Sequence, residues 1–149
     1  MLTLKEITAL DTYSVRHPVL REGKPLETCH FDGDNLQSTI HLGLFINCAL
    51  IGVVSLFKTQ NSEFNEEKQF QIRGMAVLKH HQKRGYGEKL LHEAEEIAKK
   101  YKCNLLWFNA REKAVPFYEK AGYSIHGKPF EIGDIGTHFV MYKKTNPIS

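Results

Sequence analysis

The sequence predicts a mixed α/β domain with one central sheet and elements in the order β-α-β-β-β-α-β-α-β-β. Three observations carry that expectation. Two apolar runs rich in β-formers, residues 39–46 and 50–57, flank Asn47-Cys48-Ala49 as the strands of a hairpin flank their turn. Gly87, Leu90, Leu91, Ala94, Ile97, Ala98 and Tyr101 recur at helical spacing. Leu105-Leu106-Trp107-Phe108 is an unbroken apolar run, as a strand covered on both faces requires. The length fits a single domain over residues 1–149, and an apolar fraction of 42% with 25% charged residues excludes a disordered or collagen-like chain.

Taken in order, a first strand is expected at residues 3–7. Asp11 would cap a short helix through Tyr13, Val15 and Arg16, limited by Pro18, which has no N–H to donate. Gly23, Pro25 and Gly33 make residues 20–34 a structured loop. The polar stretch 59–68 joins two strands as a hairpin loop and is not a domain boundary. Residues 69–78 alternate, with Phe70, Ile72, Gly74 and Ala76 on one face and Gln71, Arg73, Met75 and Val77 on the other. The following helix turns Glu88, Lys89, Glu93, Glu95, Glu96, Lys99 and Lys100 outward. A further helix runs through Ala114, Phe117, Tyr118 and Ala121, with Gly122 suited to its C′ position. Strands at 123–130 and 137–142, separated by Gly133-Asp134-Ile135-Gly136, complete the order.

Lys and Arg number 20 against 17 Asp and Glu, a net charge of +3. That excess allows an anionic small ligand and falls short of a nucleic-acid binder. Cys29, Cys48 and Cys103 are scattered without a CxxC pair, as buried reduced thiols in a cytoplasm would be. No cationic segment followed by an apolar run opens the chain, and the longest apolar stretch, 49–57, is far too short to span a bilayer. A cytoplasmic protein without nucleic-acid or membrane partners is expected, and a homodimer stays open.

Between the third long strand and the strongest helix lies Gln82-Lys83-Arg84-Gly85-Tyr86-Gly87. Glycines let the backbone approach a ligand without a Cβ, and a helix start offers unpaired N–H groups with partial positive charge. Lys83, Arg84 and Lys89 add full charges, so the segment suits a diphosphate. A Walker loop would need Lys-Ser or Lys-Thr where Glu88-Lys89-Leu90 follow, and a dinucleotide fingerprint would need a third glycine at Leu90. The pattern that remains is Q-x-x-G-x-G.

At these residues the sequence resembles the GNAT-type acyl-CoA-dependent N-acetyltransferases. The run Asn109-Ala110-Arg111-Glu112-Lys113-Ala114-Val115-Pro116-Phe117-Tyr118-Glu119-Lys120-Ala121-Gly122-Tyr123 is similar to that family's N-A-x-x-x-A-x-x-F-Y-x-K-x-G-F block, with Tyr123 for the usual Phe. Residues 14–21, Phe31-Asp32-Gly33-Asp34, His41-Leu42 and residues 127–141 look like the ElaA-like branch, although His17-Pro18 and Lys24-Pro25 interrupt a longer helix and loop there. The resemblance implies a GNAT-type fold and transfer of acetyl from acetyl-CoA, as co-substrate, to a primary amine by direct attack. It implies that the backbone around Met75, Ala76 and Val77 pairs with the pantetheine arm. Gln82, Lys83, Arg84, Gly85, Tyr86 and Gly87, with Glu88 and Lys89, would receive the pyrophosphate. Asn109 would hydrogen-bond the pantetheine, Phe117 would pack beside the cofactor, and Tyr118 would be the general acid that returns a proton to the thiolate.

Direct attack also needs a base and an oxyanion donor. A backbone N–H near Ala76 or Val77 is expected to be the donor, and Glu131, His138 and His30 are the candidate bases. Asp32, Asp34, Glu131 and Asp134 would form an acidic mouth that favours a protonated amine, with Arg16, Arg21 and Arg73 as an alternative acceptor clamp. The acceptor is a small-molecule or peptide amine that the sequence does not identify. No metal is expected, because neither His80, His81 and His92 nor Cys29, His30 and His41 have zinc-ligand spacing. The competing readings are a non-catalytic acyl-CoA sensor and a nucleic-acid module on Lys79, Lys83, Arg84 and Lys89, the latter disfavoured by the modest net charge.

Overall fold

The computed structural model describes residues 1–146. Its elements follow the predicted order: β1 (Leu2–Ile7), α1 (Ala9–Leu20), β2 (Ile40–Ile46), β3 (Ala49–Phe57), β4 (Gln69–Val77), α2 (Tyr86–Lys100), β5 (Leu105–Arg111), α3 (Val115–Lys120), β6 (Ser124–Ile132) and β7 (Gly136–Lys144). The strands form one seven-stranded sheet in the order β1-β2-β3-β4-β5-β7-β6. The chain divides into two compact units: Met1–Lys58 with Ile72–Ile97, and Thr59–Gln71 with the residues from Ala98 onward. No helix among the described residues is long and apolar enough to cross a membrane.

In the first unit α1 is capped by Thr8, not Asp11. The Thr8 hydroxyl accepts from Asp11 N–H at 3.2 Å and the Asp11 carboxylate accepts from Thr8 N–H at 3.0 Å, so Asp11 is the third residue of a capping box. The helix also outlasts Pro18 and ends at Leu20. So near the C-terminus the proline removes a single hydrogen bond from the last turn, which the helix tolerates.

Asn47 and Cys48, at φ of 47° and 74°, make a two-residue turn, and Ala49 already pairs with Ile46. Both left-handed residues match the twist of the flanking strands. Cys48 is exposed there, while Cys29 and Cys103 are buried free thiols. The β2–β3 ladder then shifts at Leu44/Phe45, with Ile51 the extra residue on β3. The carbonyl of Ile51 accepts from Leu78 N–H at 2.9 Å, just beyond the end of β4. Because of that shift His41 stands opposite Ser55.

The two polar side chains meet a fully buried ion pair. Arg16, on α1, binds Asp34 through two parallel bonds, Nη1 to Oδ2 at 2.7 Å and Nη2 to Oδ1 at 3.2 Å. Arg16 also donates to the Cys29 carbonyl and to Ser55 Oγ. His41 Nε2 faces the Asp34 carbonyl at 2.9 Å and so carries the proton, leaving Nδ1 to accept from the Ser55 hydroxyl at 2.6 Å. Burial pushes the Asp34 carboxyl up, but the Arg16 hydrogen bond, the Phe31 N–H and the Arg16 charge outweigh it and hold it below the usual carboxylate range.

In the second unit β4 pairs parallel with β5 over residues 69–71 and 105–107, and β5, β7 and β6 continue antiparallel. The stretch 59–68 is more than a hairpin loop, because it wraps the buried amide of Gln69. Gln69 Oε1 accepts from Asn61 N–H at 2.8 Å and Nε2 donates to the Glu66 carbonyl at 2.9 Å. Trp107 Nε1 donates to the Thr59 carbonyl, and Phe64 packs on His126 and Tyr142. Gly122, at φ 97°, ends α3, and Tyr123 N–H reaches the Tyr118 carbonyl at 3.0 Å. The buried faces of α2 and β5 are those predicted, except that Tyr101 lies beyond the helix and is exposed.

Asp34→Asn leaves the buried Arg16 guanidinium unmatched and should cost about 3–5 kcal/mol of unfolding free energy, measured by urea denaturation at neutral pH. The native carboxyl lies below the unfolded value of 3.8. Its contribution is therefore full above about pH 4 and is lost as pH falls through the lower native value. Across pH 3–7 the wild-type stability should drop on the acid side, and Asp34→Asn should flatten that drop.

Candidate active site

The turn before α2 is shaped by its backbone. Lys83 and Gly85 both sit at positive φ, 64° and 82°, and no heavy atom lies within 4 Å of where a Cβ on Gly85 would stand. The main chain is therefore open to an incoming group at that point. Lys83, Arg84 and Lys89 are exposed around it, with Glu88 the one carboxylate of the segment. Tyr86 and Gly87, half-buried, begin the helix, and Lys89 N–H reaches the Gly85 carbonyl at 3.2 Å. This arrangement fits a diphosphate. Gln82 does a different job from its neighbours: its Nε2 donates to the Val77 carbonyl at 2.8 Å and ties the turn to the end of β4.

Met75, Ala76 and Val77 form the last part of β4, which runs six residues past its last pairing with β5. Gly74 precedes them at φ 67°, an interruption of the strand that only glycine adopts easily. A Cβ there would stand 2.9 Å from Phe31 Cε2 and 3.3 Å from Arg16 Nε. The buried ion pair of the first unit thus presses against the strand that carries these three residues.

In the second unit Asn109 is exposed on β5 and Phe117 is half-buried on α3. Tyr118 packs among Phe108, Phe117 and Tyr123, with ring centroids 4.3, 5.1 and 6.3 Å away. Its hydroxyl has no hydrogen-bond partner among the described residues, and burial pushes the phenol up to about 12. The phenol is therefore a much weaker acid at rest than an ordinary thiol near 8.5. The match in basicity that a tyrosine acid ordinarily offers a thiolate is absent in this state.

The candidate bases differ in kind. His138 is buried beside Phe130, and its Nδ1 donates to the Gly136 carbonyl at 2.9 Å. The proton is thereby fixed on Nδ1, and the Nε2 lone pair is the basic atom. Glu131, on the paired strand, is exposed and accepts from the Thr137 hydroxyl at 2.6 Å. His30 lies in the first unit, its Nδ1 3.7 Å from Asp34.

Asp34 drops out of the acidic mouth expected from the sequence. Asp34 is buried and matched by Arg16, so neither residue is offered to a ligand. Asp32 and Asp134 are exposed, each in its own unit. Among the described residues no group of three or more His, Cys, Asp and Glu is placed to hold a metal ion.

The sequence model of the Acetyltransferase (GNAT) family matches residues 5–123. The chain belongs to this family. It is also 34% identical over 143 residues, 96% of each chain, to the uncharacterized N-acetyltransferase YitI of Bacillus subtilis (strain 168). Among solved structures, an aminoglycoside 6'-N-acetyltransferase complexed with coenzyme A superposes with a TM-score of 0.77 at 14% identity, covering 99% of both chains. ElaA of Escherichia coli superposes at 0.73 and 14% identity, covering 96% of this chain and 99% of its own. These two likenesses are of fold. As a member of the GNAT family this protein is an acyltransferase, with the family's mixed α/β fold.

The raised phenol gives a direct check on this GNAT member. Tyr118 should remain protonated up to about pH 11, so its ring carbon resonance should not titrate between pH 6 and 10. Because the folded value is above the unfolded 10, stability contributed by the neutral phenol is present below pH 10 and is lost as pH rises toward about 12.

Proposed function

We propose that this acyltransferase moves an acetyl group from acetyl-CoA to the primary amine of a small-molecule or peptide acceptor by direct attack. The observation that carries the reading is the Tyr118 hydroxyl, surrounded by aromatic rings and left without a partner. That hydroxyl is not sealed among buried atoms, so it is open to an incoming group, and a mere sensor of acyl-CoA needs no such donor.

The thioester supplies an acyl carbon with a good leaving group. Lys83, Arg84, Gly85 and Lys89, with the first N–H groups of α2, bind the pyrophosphate. Met75, Ala76 and Val77 pair through their backbone with the amide-bearing arm as a strand would, and Val77 does so with one carbonyl lone pair already given to Gln82. The N–H of Ala76 or Val77 stabilises the oxyanion. Asn109 hydrogen-bonds the arm and Phe117 packs beside it. His138 accepts the amine proton at Nε2, with Glu131 on the same hairpin as the second candidate.

Tyr118 donates a hydrogen bond to the departing sulfur as charge develops. Complete proton transfer from a phenol near 12 to a thiolate near 8.5 would be uphill by roughly 5 kcal/mol in the resting environments. The same apolar surroundings raise the basicity of an incoming thiolate, so the mismatch closes as charge appears there.

Coenzyme A or acetyl-CoA should raise Tm without added metal, since either binds the native turn and not the unfolded chain. Arg84→Glu and Lys89→Glu should cut that shift, and Gly85→Val should abolish it while also lowering the Tm of the free protein, because a branched residue is strained at φ 82°. An unchanged shift in all three would refute the pyrophosphate assignment. Tyr118→Phe should keep acetyl-CoA affinity within a few-fold and lower turnover by up to roughly a hundredfold in a thiol-release assay. kcat/KM should rise with pH as the acceptor amine loses its proton, with no descending limb from Tyr118 up to pH 10. Acetyl-CoA binding without thiol release across a broad amine panel would favour the sensor reading.

A further inference from the structure

The ring of Phe31 gathers three guanidinium groups. Arg16 lies 3.9 Å from its centroid, Arg73 4.8 Å and Arg21 5.4 Å. Their situations differ. Arg16 is matched by Asp34 and has four hydrogen bonds. Arg21 spends Nε and Nη1 on the backbone carbonyls of Thr28 and Leu20 and has no ion pair among the described residues. Arg73 has neither a hydrogen bond nor an ion pair there, although it is half-buried and lies 5.1 Å from the Phe57 ring as well.

A guanidinium cannot shed its charge in a protein, and its five donors ordinarily find acceptors. Burial, and then the neighbouring charge of Arg16, work against the charged form of Arg73, only partly offset by Asp34 and the exposed Asp32. A role confined to packing between Phe31 and Phe57 would be served by an uncharged side chain without that penalty. Held by aromatic rings, the planar fork loses little further freedom on meeting a carboxylate or phosphate, which it matches in bidentate geometry. Arg73 also lies two residues before Met75 on β4, about 7 Å along a strand.

We propose that Arg73, supported by Arg21, forms an anion-binding site, and that the acceptor of the acyl group is an amine carrying a carboxylate or phosphate on the same molecule. The inference rests on the acyl-transfer reading above and names its substrate class. It replaces the acceptor chosen by an acidic mouth that the acidic residues of the sequence suggest. With Asp34 committed to Arg16, the surplus charge around Phe31 is positive.

The test uses matched amines that differ in one group: 4-aminobutyrate, 3-aminopropylphosphonate and butylamine, together with amino acids and their amides. Thiol release from acetyl-CoA is measured with the wild type, Arg73→Gln and Arg73→Lys. The same compounds are titrated onto the resting protein while the arginine Nε–H resonances are followed. The anionic member of a pair should have at least a tenfold higher kcat/KM, mostly through KM. Arg73→Gln should erase that difference, Arg73→Lys should retain part of it, and the Arg73 resonance should move with the anionic members only. The ranking of carboxylate against phosphonate identifies the anion. The proposal is overturned if neutral amines are preferred, if Arg73→Gln lowers both members of each pair equally, or if no anionic member moves the Arg73 resonance, whether or not any pair is turned over. Failure of the underlying reading is seen separately, as the absence of a wild-type Tm shift with acetyl-CoA.

Discussion

The buried pair of Arg16 and Asp34 is the constraint on which the first unit depends. Neither charge reaches solvent, so each must be met inside the protein, and the demand fixes four pieces of chain at once. Arg16 anchors α1, its bond to the Cys29 carbonyl holds the loop after that helix, Asp34 closes the same loop against Phe31 N–H, and Ser55 with His41 ties in the β2–β3 hairpin. The groups form a directional chain, from Arg16 Nη2 to Ser55 to His41 to the Asp34 carbonyl, with only the Arg16 Nε–H left without an acceptor in this cluster. The loop after α1, with Pro25, Gly23 and Gly33, thereby becomes a defined wall.

That wall acts on β4. Gly74 can take its positive φ beside Phe31 and Arg16 only because it has no side chain. The strand is bent locally, with Arg73 on one side of the glycine and Met75 on the other. One packing contact thus sets the position of a charged fork and the course of the backbone that follows it. At the other end of this backbone Gln82 and Ile51 act similarly, binding the Val77 carbonyl and the Leu78 N–H. The stretch of β4 from Met75 to Val77 is thus held at both ends, by the Gly74 contact and by the bonds of Gln82 and Ile51.

The legible parts of the sequence were those that depend on local periodicity or on a backbone motif. The order of strands and helices, the apolar face of α2, the covered strand at Leu105 and the turn around Gly85 follow from spacing and from glycine conformations. The Arg16–Asp34–Ser55–His41 constellation was not legible, for a definite reason. A regular two-residue turn at Asn47-Cys48 would set His41 against Val54, and only the extra residue at Ile51 brings it to Ser55. A polar residue at one position of each of two apolar strands was the available signal. Gln69 was missed similarly: it reads as the polar start of a strand, yet its amide is what the residues 59–68 fold around. Asp11 is not the cap and Pro18 does not end α1, because Thr8 is the better N-cap and one lost bond in a last turn is a small cost.

The contrast between the two halves of the chemistry has the same origin. A pyrophosphate is recognised largely by backbone N–H groups, glycine and a helix start, so its site is written in consecutive residues and survives as a motif. An acceptor is recognised by side chains from separate elements, and the anion site proposed for it draws on Phe31 in a loop, Phe57 on β3 and Arg73 on β4. No spacing in the sequence joins those three, and the charge of Arg73 looks ordinary until Asp34 is seen to be spent on Arg16. Under that proposal acceptor preference turns on which partly buried charges are matched and which are not, and among the described residues Arg73 is a half-buried cation without an ion pair.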